Sequence, residues 1–187
     1  MSGLNDYLAA KKQAIDKREE ERHRNSHVPS EVLKARVSAK DRSGIREIRI
    51  RNFQIISDSP PDYAGYDLGP SSPELQLGVL GSCLTHITLI QAAIRGVQLD
   101  SLEVEVEGDQ HKYAGKPGYE EIPFWPHNLR YTLHIESPAS EEEITELYEA
   151  VEKVCPILNL LANPQKITGR ILHTAGSGQA KEITVES

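Results

Sequence analysis

The chain has no excess of basic residues. Its 21 Lys and Arg stand against 28 Asp and Glu, a formal net charge of −7 over 187 residues. A surface of that sign does not attract a phosphate backbone, which excludes nucleic acid as the main partner. Cysteine is scarce, at two residues, too few for the disulfide framework of a small secreted domain. From Met1 to Leu8 no basic stretch precedes an apolar core. No secretory signal is therefore expected, and the expected location is the cytoplasm, where thiols are free at least part of the time. Several motifs are missing as well. There is no Gly-x-Ser-x-Gly elbow and no glycine-rich loop between a strand and a helix, and the seven histidines lack ligand-type spacing to Cys, Asp or Glu. Neither a serine hydrolase, a phosphate-cradling loop nor a metal site is expected, and no cofactor is implied.

What is present suits one domain with an extension. Apolar residues make up 38% of the chain, enough for a single core. Leu4 to Arg24 reads as a helix of mixed charge with a thin apolar stripe, Leu4, Leu8 and Ile15, and residues 1–30 read as a charged arm. The domain proper is expected over 31–187. "EVLKARVSA", "REIRIRNFQIIS", "SLEVEVEG", "NLRYTLHIE", "KITGRIL" and "EITVE" alternate or are β-branched, and read as strands. "AGSGQ" reads as the turn between the last two. "SEEEITELYEAVEKVC" opens with a capping-box pattern at Ser140 and Glu143 and reads as a helix. Between the strands near 104 and 132 lies a long loop, 108–128, holding Tyr113, Tyr119, Phe124 and Trp125. The pattern predicts an α+β fold with helices packed on one antiparallel sheet.

The most apolar stretch is "ELQLGVLGSCLTHITLIQAAIRG", Glu74 to Gly96. Ser72 is placed to cap it, Pro73 suits the first helical position and Gly96 the stop. It is long enough for a bilayer, but Gln76, Ser82, Thr85, His86, Thr88 and Gln91 argue for a buried helix instead, and no membrane partner is expected. Such a helix has too few polar positions to face water, and one chain's sheet would not cover it. Cys83 lies mid-helix, beyond the reach of the helix dipole. On residue grounds alone it is either a packing thiol, the commoner outcome, or a reactive one with His86 one turn along to polarise it. Cys155 precedes Pro156, which disfavours the α conformation at Cys155 and opens a second short helix, "PILNLLAN". Free backbone N–H groups there favour a thiolate by only about 0.3–1 kcal/mol.

Together these stretches resemble a known family. "GPSSPELQLGVLGSCLTHITLIQAA" is similar to the cysteine-bearing helix of the OsmC/Ohr family, the osmotically inducible and organic hydroperoxide resistance proteins. "VEKVCPILNLL" resembles that family's Cys-Pro hallmark, and "SDSPPDYAGYDLGPSSPE" its acidic, glycine-containing lead-in. The resemblance runs from about Val32 to the C-terminus. It implies an intertwined homodimer of α+β subunits, an antiparallel sheet on a long central buried helix, and a site at the subunit boundary. It also implies a thiol-dependent peroxidase acting on organic or small hydroperoxides, recycled by a dithiol reductant that the sequence does not name. Cys83 would then be the peroxidatic thiol and Cys155 the resolving one. Arg42, in "AKDRSG", is the nearest match to the family's activating arginine. The family's glutamate falls at Pro73 here, and Glu74 is the adjacent candidate. The aromatic loop is a candidate wall for the substrate's organic tail. The rival reading is a non-enzymatic dimeric module of the same fold that binds a small apolar ligand or a protein, with both cysteines as packing residues.

Overall fold

A computed structural model describes residues 3–25, 27–40, 42–176, 178 and 180–183. Helix α1 (Gly3–Arg24) leads into strands β1 (Arg36–Ala39), β2 (Arg46–Ile50) and β3 (Phe53–Ser57), which form an antiparallel meander. Helix α2 (Ser72–Arg95) follows, then the hairpin β4 (Ser101–Asp109) and β5 (His127–Glu136). Helices α3 (Glu141–Val154) and α4 (Pro156–Ala162) come next, and a short hairpin, β6 (Ile171–His173) and β7 (Lys181–Ile183), ends the described chain. The fold is α+β with antiparallel sheets, as the sequence pattern indicates.

The centre is α2. Its N-cap is Ser71, one residue before the expected Ser72. The Ser71 backbone N–H donates to the Glu74 carboxylate at 2.7 Å and its hydroxyl does so at 2.6 Å, while the Glu74 N–H returns to the Ser71 hydroxyl. The reciprocal pair satisfies two orphan groups of the first turn. Gly96 ends the helix in the left-handed region, φ 73°, where a Cβ would be strained. One face of α2 carries Leu80, Leu84, Ile87, Ala92 and Ala93 into a core completed by Leu99, Leu147, Val151 and Cys155. Each large aliphatic buried there contributes about 1.5–3 kcal/mol. Strand β4 alternates as its sequence predicts, with Leu102, Val104 and Val106 packed on the core and Glu103, Glu105 and Glu107 outward. Gly81 sets that approach, because a Cβ there would meet the Val106 side chain at 3.2 Å. By length and composition α2 could also cross a bilayer, yet its inner face is committed to β4, α1 and α3.

Four further expectations change. The single expected sheet is three small ones among the described residues. "REIRIRNFQIIS" is two strands, because the chain reverses at Arg51 and Asn52 with Ile50 opposite Phe53. Arg51 takes φ 53° to make that turn, and a two-residue reversal inside an alternating run leaves the alternation intact. "EVLKARVSA" and "KITGRIL" are strand only over their last few residues, and part of "EITVE" and of the "AGSGQ" turn lies outside the described residues. Helix α1 is not a free arm: Leu8 is buried in the core, and the Asn5 side-chain oxygen accepts the Leu99 N–H at 2.9 Å.

The loop between β3 and α2 is organised by one carboxylate. Asp58, fully buried, accepts backbone N–H groups from Ser59 (2.8 Å), Tyr66 (3.0 Å) and Leu68 (3.2 Å). Arg46 closes the loop from the β2 side, donating to the Asp58 carbonyl at 2.7 Å and to the Ser57 hydroxyl at 3.0 Å. Gly65 is required inside it, since a Cβ would overlap the Ser59 carbonyl. The Ser59 N–H, with those of Leu68 and Tyr66, holds the Asp58 carboxyl below the usual carboxylate range, against the opposing pull of burial. A carboxyl depressed in the folded state stabilises above its unfolded value, near 3.9, and that stabilisation is lost as pH falls through the lower folded value. Urea midpoints taken from about pH 7 to about pH 3 should therefore fall less for Asp58→Asn, itself less stable at neutral pH, than for the unaltered chain. Parallel pH profiles would show that Asp58 does not carry this linkage.

Candidate thiol site

Cys83 and Cys155 reach one another by different routes. Cys83 sits on α2 at the edge of its buried face, packed beside the core and partly exposed. Cys155 ends α3 and caps α4, with φ −66° and ψ 112°, the extended conformation imposed by Pro156. Its N–H donates to the Val151 carbonyl at 2.9 Å, and its carbonyl accepts the Asn159 N–H at 3.0 Å. The side-chain amide of Asn159 also donates to the carbonyls of Cys155 (2.9 Å) and Glu152 (3.0 Å), fastening the α3–α4 joint. Asn159 was not singled out from the sequence. The only signal for it is its place one helical turn after Cys155.

The joint aims the Cys155 thiol at α2. Its Sγ donates to the Cys83 Sγ at 3.5 Å across a separation of 72 residues. Both are free thiols, and a bond of about 2.05 Å between them requires only a small approach. Cys155 is 0% exposed. Burial pushes its thiol up from the ordinary value and the neighbouring Cys83 adds to this, while the Leu158 and Ile157 N–H groups pull the other way without forming a full cap hydrogen bond. Cys155 is thus held as a neutral S–H. Cys83 instead opens onto a groove of about 420 Å³ lined by the apolar Leu75, Val79 and Ile157 together with Gly78, Ser82 and His86.

The other two candidates are placed elsewhere. Glu74 is committed to the Ser71 capping box, where the Ser71 hydroxyl and N–H hold its carboxyl below the usual range. Arg42 lies in the exposed turn between β1 and β2, with no hydrogen bond or ion pair to another described residue. The arginine built into the structure on that side is Arg46. None of Tyr113, Tyr119, Phe124 or Trp125 lines the groove at Cys83. Tyr113 and Tyr119 cluster with His111, and Phe124 and Trp125 are largely exposed. Among the described residues no three His, Cys, Asp or Glu side chains converge as a metal site.

The family model for OsmC-like proteins matches residues 65–169, more than half of the chain, from the Asp58 loop through α2 and the Cys-Pro joint. The chain belongs to the OsmC-like protein family. Solved structures of OsmC-like proteins share the fold. An OsmC-like protein from Mycoplasma pneumoniae is 22% identical with a TM-score of 0.62, over 72% of this chain and 89% of that one. An organic hydroperoxide resistance protein OsmC from Legionella pneumophila is 16% identical with a TM-score of 0.51, over 72% and 91%. An organic hydroperoxide resistance protein from Elizabethkingia anophelis is 16% identical with a TM-score of 0.50, over 72% and 90%. No curated protein matches the chain at a significant level.

The geometry of this OsmC-like site separates its two thiols by access. At neutral pH, iodoacetamide should modify Cys83 well before Cys155, as read by peptide mass mapping over time. Equal labelling, or Cys155 first, would contradict the placement of Cys155 as a buried neutral thiol.

Proposed function

We propose that this OsmC-like protein is a thiol-dependent peroxidase that reduces organic or small hydroperoxides. The observation that carries the reading is the pair of free thiols 3.5 Å apart, one buried and one open to an apolar groove. Cys83 attacks the outer peroxide oxygen and becomes a sulfenic acid. Cys155 then condenses with it, releasing water and leaving a Cys83–Cys155 disulfide. A dithiol reductant returns the pair to two thiols by exchange. The apolar groove walls suit a hydroperoxide with an organic tail, and the organic hydroperoxide resistance proteins of the same fold agree with that substrate class. Arg42 is the candidate that would favour the Cys83 thiolate, brought to the site by a second subunit, since an opposite charge within about 4–6 Å favours the ionised form. Free thiols suit the reducing cytoplasm.

A homodimer belongs to this reading. Val79 on α2 is 47% exposed and Phe53 in the meander 61% exposed, and among the described residues the meander makes no extensive contact with a helix. Both surfaces carry exposed apolar side chains among their polar ones. The rival reading, a binding module of the same fold, draws support from one observation: Glu74 serves the helix cap and so is not free to assist Cys83.

Cys83→Ser should abolish turnover of cumene hydroperoxide. Cys155→Ser should allow one oxidation and then stall as a sulfenic acid that dimedone traps. Wild-type thiols that react no faster than free cysteine would leave the binding module as the better account. Sedimentation at micromolar concentration should give a dimer, whose interface we expect to bury well over about 2,000 Å². A stable monomer would remove the shared site.

A further inference from the structure

The sequence places His86 one turn along from Cys83. Its side chain is exposed and lines the groove at Cys83. It follows Cys83 by three positions on α2, and residues so spaced are neighbours on one helix face, about 5–6 Å apart at Cβ. Its imidazole makes no hydrogen bond or ion pair with another described residue, so no structural duty holds it. The rest of the lining is apolar or glycine, apart from the Ser82 hydroxyl and the Cys83 thiol.

Resting on the peroxidase reading, we propose that His86 is the catalytic acid that protonates the alcohol leaving group when Cys83 attacks a hydroperoxide. A sulfur lone pair of the Cys83 thiolate forms the S–O bond to the outer oxygen as the O–O bond breaks. The O–O electron pair departs on the inner oxygen, so sulfur is oxidised by two electrons to the sulfenic acid and the peroxide is reduced. The inner oxygen would leave as a strongly basic alkoxide. The His86 imidazolium gives it a proton and releases it as the neutral alcohol, then regains a proton from solvent. Imidazole suits the task because its ring N–H can donate to the departing oxygen while its second ring nitrogen can take up a proton. The alternatives fail on chemistry or place. A guanidinium such as that of Arg42 does not give up its proton. Glu74 is an ionised cap, and a serine hydroxyl is a far weaker acid. Cys155 lies on the buried side of Cys83 and does not line the groove.

Two oxidants with opposite needs test this. Thiol loss in a single turnover is followed for wild type and His86→Gln, with tert-butyl hydroperoxide, which expels an alkoxide, and with peracetic acid, which expels a weakly basic carboxylate. His86→Gln should slow the first reaction about 10²-fold and the second by about threefold or less. The peracid serves as the folding control, since a merely structural role for His86 would slow both alike. An equal loss on both oxidants, or no loss with tert-butyl hydroperoxide while the wild type reacts, overturns the role of His86 and leaves the peroxidase reading standing. A wild-type chain inert to both oxidants takes down the peroxidase reading, and this inference with it.

Discussion

One sulfur–sulfur contact ties the middle of α2 to the joint between α3 and α4. Its geometry depends on elements far apart in the chain. Leu147 and Val151 hold α3 against the α2 face that carries Leu84, all three fully buried. Pro156 then forces an extended residue at the end of α3, so that the next side chain inward is the Cys155 thiol. Asn159 pins the carbonyls on either side of that kink. Because interiors are close-packed, a change of one methylene along this route would move the two sulfurs relative to each other.

The same arrangement makes the two thiols unequal. Burial disfavours charge on Cys155 and keeps it a proton donor toward its neighbour, while the neighbour faces an apolar groove. An attacking thiol and a resolving thiol need that asymmetry: the first must meet an outside oxidant, and the second must wait until a sulfenic acid forms beside it. The outer face of α2 and the β1–β3 meander show the opposite condition, with Val79, Ile50, Phe53 and Ile55 exposed in the single chain. Val79 and Cys83 on α2 line the same groove, which is why assembly and activity belong to one proposal.

Much of this was legible in the sequence, and the differences have physical causes. The core helix and both cysteine settings followed from an apolar run, a capping pattern and a Cys-Pro pair, all of which act within a few residues. The α+β class followed from the alternation of β4 and β5, a local signal as well. The break in "REIRIRNFQIIS" was hidden because a two-residue turn preserves alternation on both sides. The cap at Ser71 was missed by one residue because two adjacent serines offer the same hydroxyl. Glu74 and Arg42 follow from position relative to a family pattern, and within the single chain neither meets Cys83, because side-chain contacts depend on geometry that spacing does not encode. Glu74 turns back to Ser71, and the half-buried arginine near the β1–β2 turn is Arg46. His86 could be placed on the Cys83 face by helical periodicity, but whether that position faced core or groove depended on how β4 and α3 pack.

In the proposed reaction Cys83 and Cys155 act as one redox unit. The decisive measurement is titration of the reduced protein with tert-butyl hydroperoxide, with free thiols counted and peptides mapped at each addition. One equivalent of oxidant per chain should remove both thiols together and yield a single Cys83–Cys155 disulfide within the chain. Loss of one thiol per equivalent without that disulfide, or cross-links between chains in its place, would contradict it.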